Sequence, residues 1–77
     1  MGICSGTVTR NGYPVPSARV SGSVGGFFGG MTETVYTDGR GRFVLEWSGN
    51  SSLSKLYVNG NTAERDVCSG DKVHIDL

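Results

Sequence analysis

The chain is predicted to be all-β, a sandwich of two facing sheets built from seven short strands. Three observations point there. Apolar and polar residues alternate with period two in one segment after another, the pattern of a strand with one buried face. Turn chemistry recurs at intervals of about eight to twelve residues, the spacing of small sandwiches. Glycine contributes 13 of the 77 residues, well above the roughly 7% of average usage, which suits many tight connections. No segment shows a helical period, and 77 residues support a single small core.

The segments follow in order. ICSGTVTR (3–10) alternates, with Cys4, Gly6 and Val8 on one face. NGYPVP (11–16) reads as a connection: Asn-Gly turns the chain, and two prolines without N–H groups stop a ladder. SARVSGSV (17–24) resumes alternation with Ala18, Val20 and Gly22 together. MTETVYT (31–37) is rich in β-branched and aromatic residues, and DGRG after it offers glycine for positive φ. RFVLEW (42–47) puts Phe43, Leu45 and Trp47 on one face, and SGNSS closes it before LSKLYVN begins, a pattern read as a hairpin. A second Asn-Gly at 59–60 leads to TAERDVC, polar enough for an edge strand, and SGDKVHIDL ends the chain with Val73, Ile75 and Leu77 in phase.

Composition limits the partners. Seven Lys and Arg balance seven Asp and Glu, so the long-range field that draws a protein to nucleic acid is missing, and no nucleic-acid role is expected. No apolar run approaches the roughly 18 residues of a bilayer span, and no membrane insertion is expected. Cys4 and Cys68 lie near opposite ends without CxxC spacing. Two readings stand. A disulfide would staple the domain, by about 4 kcal/mol at most, and would favour a secreted, periplasmic or secretion-apparatus location. Otherwise the two are separately buried thiols.

Three anchors together resemble the carboxypeptidase regulatory-like, or transthyretin-like, domains. Gly6 and Val8 match that family's first strand, and Gly12, Pro14, Val15, Ala18 and Val20 match its G-x-P-[VL]-x-x-A-x-V motif. Thr37, Asp38, Gly41 and Phe43 match the T-D-x-x-G-x-[FY] turn. The resemblance implies a seven-strand Greek-key sandwich, immunoglobulin-like in plan, and an accessory or interaction role. Some bacterial secretion-spike and tail-like proteins carry such domains as adaptors. These motif residues read as scaffold, and fold alone does not give function.

Chemistry has few candidates. Related hydroxyisourate hydrolases use histidines, an arginine and a Tyr-Arg-Gly-Ser ending, whereas this chain ends VHIDL with one histidine; no enzyme of that kind is expected, and no cofactor. Related pilin-type sandwiches form a Lys-Asn crosslink from a first-strand lysine, where this chain has Arg10. His74 with Cys4 or Cys68 and Asp71 or Asp76 lacks metal-site spacing, and a solvent-facing strand histidine is the better reading. TDGRGR reads as a turn rather than a calcium or phosphate loop, since it holds a single carboxylate, Asp38, and Arg40 and Arg42 would repel a cation; the two arginines suit a carboxylate on a partner instead. Asn50-Ser51-Ser52 is a formal glycosylation sequon.

VGGFFGG (24–30) carries Phe27 and Phe28 between paired glycines. Either both rings stand on a mobile end loop and insert into a protein partner, or one folds back to cap the core. The expected function is therefore a non-catalytic adaptor, with Phe27, Phe28, Arg40 and Arg42 as partner contacts. The alternative is a carbohydrate-binding module in which Tyr13, Tyr36, Trp47 or Tyr57 stacks on sugar rings.

Overall fold

A computed structural model describes residues 2–25, 30–49 and 52–77. Among these residues there is no helix, and the strands are β1 (Gly2–Arg10), β2 (Tyr13–Pro14), β3 (Arg19–Val24), β4 (Val35–Tyr36), β5 (Arg42–Trp47), β6 (Leu53–Val58), β7 (Asn61–Val67) and β8 (Lys72–Asp76). They form two sheets of four strands. In the first, β1 is central: β5 and then β2 lie antiparallel to it, and β8 runs parallel. The second has the order β4-β3-β6-β7, all antiparallel.

The alternation expected from sequence selects the inward faces. Cys4 and Val8 of β1, Val20 of β3, Phe43, Leu45 and Trp47 of β5, Leu53, Leu56 and Val58 of β6 and Ile75 of β8 meet in one core. Ala18, just before β3, is buried with them. The longer strands each bury one face, so neither sheet can exist without the other to cover its apolar side.

Three expectations are corrected. The segment 11–16 does more than connect: Asn11 (φ 52°) and Gly12 (φ 83°) make a two-residue hairpin turn that pairs Arg10 with Tyr13 and Thr9 with Pro14. The proline is tolerated because Thr9 directs its carbonyl to Leu77 on the far side of β1, so no N–H is required of position 14. RFVLEW forms no hairpin with its neighbours in sequence. β5 pairs with β1, whereas β4 and β6 both pair with β3, so the chain changes sheet both before and after β5. Period two fixes which face is buried but leaves the partner strand open. Finally, 31–37 contributes only the short β4 and an isolated bridge between Met31 and Ser23.

Candidate functional site

The passage from β4 to β5 is built from side chains reaching backbone. Thr37 is buried, and its Oγ1 donates to the Val15 carbonyl (2.6 Å) and accepts from the Ala18 N–H (2.9 Å). It thereby closes the Pro16-Ser17 turn, in which Ser17 holds φ 58°. Asp38 Oδ1 accepts the N–H groups of Arg40 (2.8 Å) and Arg42 (3.0 Å). Those two bonds, and then the nearby guanidinium charges, hold its carboxyl below the usual aspartate range. Gly41 has φ 72°, and a Cβ there would lie 2.5 Å from the Val8 carbonyl oxygen. Arg40 and Arg42 are both exposed, Arg40 in the turn and Arg42 at the start of β5. The residues of the T-D-x-x-G-x-[FY] motif thus fasten one sheet to the other.

The outer face of the first sheet is polar on one side and apolar on the other. His74 is exposed on β8, with Nε2 3.1 Å from Thr9 Oγ1, and that hydroxyl donates to Asp76 Oδ1 (3.2 Å). Among the described residues, no group of three or more His, Cys, Asp and Glu side chains is placed to hold a metal ion. Across the sheet, Ile3 and Val44 are diagonal neighbours on the same face, 43% and 54% exposed. With Ser5, Gly70 and Asp71 they line a shallow depression of ≈ 180 Å³.

Beyond β5 the described residues of the two sheets leave a space between them. A groove of ≈ 440 Å³ runs between the end of β5 (Glu46, Trp47, Ser48) and the segment Met31-Thr32-Glu33 of the second sheet. Met31 is 64% exposed at its rim.

The cysteine pairing is corrected. Cys4 and Cys68 are both free and not close to one another. Cys4 points into the core from β1, whereas Cys68 is exposed where β7 ends, its N–H bonded to Asp71 Oδ2 (2.9 Å). A disulfide would require one of the two side chains to leave its environment. Burial first, and then the Asp71 charge, push the Cys4 thiol up. The placement in an oxidising compartment, conditional on the bond, loses that support.

Phe27, Phe28, Asn50 and Ser51 lie outside the described residues. The aromatic residues proposed for sugar stacking divide. Trp47 is a core residue, while Tyr13 and Tyr36 are 75% and 62% exposed and Tyr57 is half-buried.

Two features escaped sequence reasoning. Ile3 and Val44 are apolar residues at outward positions of alternating strands, so the signal was present as a break in phase. The role of Thr37 had no signal beyond its place in the motif, because a buried threonine and an exposed one look alike in sequence. No family model, curated protein or solved structure matches this chain.

Proposed function

We propose that the chain is a non-catalytic adaptor domain that binds another protein. The finer fold assignment belongs to the same proposal: a Greek-key sandwich of the carboxypeptidase regulatory-like, transthyretin-like kind, immunoglobulin-like in plan. In that setting the motif residues Gly12, Pro14, Ala18, Asp38, Gly41 and Phe43 serve the scaffold, and a place on a bacterial secretion spike or cell-surface assembly is one form the role takes.

The observation that carries the proposal is the apolar pair Ile3 and Val44 on an otherwise polar sheet face, beside an open groove edged by exposed Met31. Burying a side chain of this size completely is worth about 1.5–3 kcal/mol, and since roughly half of each is already covered, about half of that remains to be gained by association. Affinity purification from the source cells, followed by reconstitution of the complex from purified components, tests it. The expected result is a protein partner whose binding weakens in the Ile3→Ser/Val44→Thr variant. A reconstituted complex indifferent to that variant, or no protein partner at all, removes the observation from the argument.

One observation favours the carbohydrate alternative. On the outer face of the second sheet Tyr36 stands directly opposite Arg19, and Tyr57 opposite Ser21 on the same face, an aromatic surface with hydrogen-bonding groups between. Retention on a glycan array that is lost in Tyr36→Ala would establish that reading instead.

A further inference from the structure

We propose that the outward edge of β5 is a strand-addition site for an extended, basic segment of the partner protein. This rests on the adaptor reading and names the surface and partner chemistry it would use. The backbone directions define the edge. The Val8 N–H bonds to the Gly41 carbonyl (2.7 Å), whereas Ser5, Ile3 and Thr9 bond to residues flanking β8. The even-numbered residues of β1 therefore face β5, and their partners Phe43 and Leu45 spend their N–H and C=O groups on β1. Val44 and Glu46 turn theirs the other way, where no strand among the described residues pairs with them.

The lane beside β5 has one closed end. Asp38 donates its N–H to the Arg42 carbonyl (2.9 Å) and its carboxylate receives the Arg42 N–H, so the turn fills the place opposite Arg42. An incoming strand is thus confined to the stretch from Val44 toward Ser48, which fixes its register.

The side chains it would meet specify its chemistry. On the outer face it passes Val44, with Ile3 one strand further in, and then the exposed carboxylate of Glu46. On the inner side it faces the groove lined by Met31, Thr32 and Glu33. Glu33 and Glu46 are both exposed, and among the described residues neither has a cation paired with it. A segment of alternating β-branched residues with a lysine at its centre complements this combination, main-chain bonds supplying affinity and the carboxylates direction.

The edge at β7 differs. β7 carries a bulge where the register shifts opposite Leu56 and Tyr57, and Asp66 holds φ 55°. Bulges and charged residues such as Glu64, Arg65 and Asp66 are the devices that keep sheet edges from pairing. The described part of β5 beyond Arg42 has neither a bulge nor a proline.

The test uses two short synthetic peptides of alternating valine and threonine, one with a central lysine and its twin with glutamate, titrated into the full chain with amide hydrogen exchange as readout. The lysine peptide is expected to bind about tenfold more tightly than its twin, and the Val44 and Glu46 amides to become protected. Val44→Pro deletes an N–H that pairs with no strand among the described residues, and edge positions tolerate proline, so this variant should fold and lose binding. Glu46→Lys leaves the backbone intact and should reverse the preference between the peptides. Protection confined to Asn61–Val67 or Lys72–Asp76 overturns the β5 assignment and leaves the adaptor reading standing. A reconstituted partner that binds Val44→Pro as tightly as wild type does the same. Absence of any protein partner removes both.

Discussion

The chain reverses direction by two different kinds of chemistry, and the contrast shows where a glycine is local and where it is tertiary. At Asn11-Gly12 and Asn59-Gly60 the turn is made by two consecutive residues of positive φ. At Gly12 a Cβ would meet nothing within 4 Å. At Gly41 the φ is also positive, but the missing Cβ is the space occupied by the Val8 carbonyl, which the Gly41 carbonyl itself holds close through the Val8 N–H. The hairpin needs glycine for its own backbone, whereas the crossing needs it because a strand of the other segment is already there.

Gly41→Ala and Gly12→Ala would break this comparison most directly. Alanine at position 12 carries only the left-handed backbone cost, about 1–2 kcal/mol. Alanine at 41 adds a collision with backbone that cannot rotate away, for a loss of about 3 kcal/mol or more. A core of this size supplies only about 3–5 kcal/mol unaided, so Gly41→Ala should be largely unfolded at room temperature while Gly12→Ala retains a cooperative urea transition. Equal losses would mean that β1 moves aside at no cost and that the crossing is not tertiary in origin.

A smaller effect sharpens the same point. Thr37→Val keeps the shape of the side chain and removes the hydroxyl, leaving the Ala18 N–H and Val15 carbonyl without the Thr37 Oγ1 that satisfies both. The expected loss is about 1–3 kcal/mol, the cost of stranding a buried backbone group. Thr37→Ser keeps the hydroxyl and should recover most of it, as read by the urea midpoint. If serine and valine are equally damaging, the methyl group rather than the hydrogen bonds holds the turn.

The same division explains what could be read from the residues. Asn-Gly dipeptides announce their turns because the chemistry is contained within them, and RFVLEW announced its buried face because Phe43, Leu45 and Trp47 must all point one way. Nothing inside RFVLEW says that its partner is β1, more than thirty positions away in the chain, and so the hairpin expected there is two crossings. The cysteine pair failed for a related reason: both lie near the chain ends, but Cys4 falls on the inward phase of β1 and Cys68 in an exposed turn. The candidate site was visible only as a break in pattern, since Val44 and Ile3 are apolar where alternation calls for polar residues, and the open backbone edge beside them depends wholly on topology.

The smallest expected effect concerns the acid at the crossing. Asp38 is fully solvated, yet its carboxylate receives the Arg42 and Arg40 N–H groups, and its folded pKa is lowered for that reason first and by the two guanidinium charges second. A carboxyl with a lower pKa in the folded than in the unfolded chain contributes stability above the unfolded value, near ~3.9, and that contribution is lost as pH falls through the folded value. Asparagine at 38 keeps an acceptor oxygen for the turn but has no charge to lose. The difference in urea midpoint between wild type and Asp38→Asn should therefore be present at neutral pH and close as the solution is acidified below about pH 4. The difference should also shrink in high salt, since these charges face water. At Asn11-Gly12 no side chain among the described residues accepts a turn N–H, so Asn11→Asp, its counterpart, places a carboxylate without those two bonds and should show no comparable closure in acid. A difference for Asp38→Asn that is constant across the acid range would mean that the two N–H groups are held by the backbone alone and that the carboxylate adds nothing to the crossing.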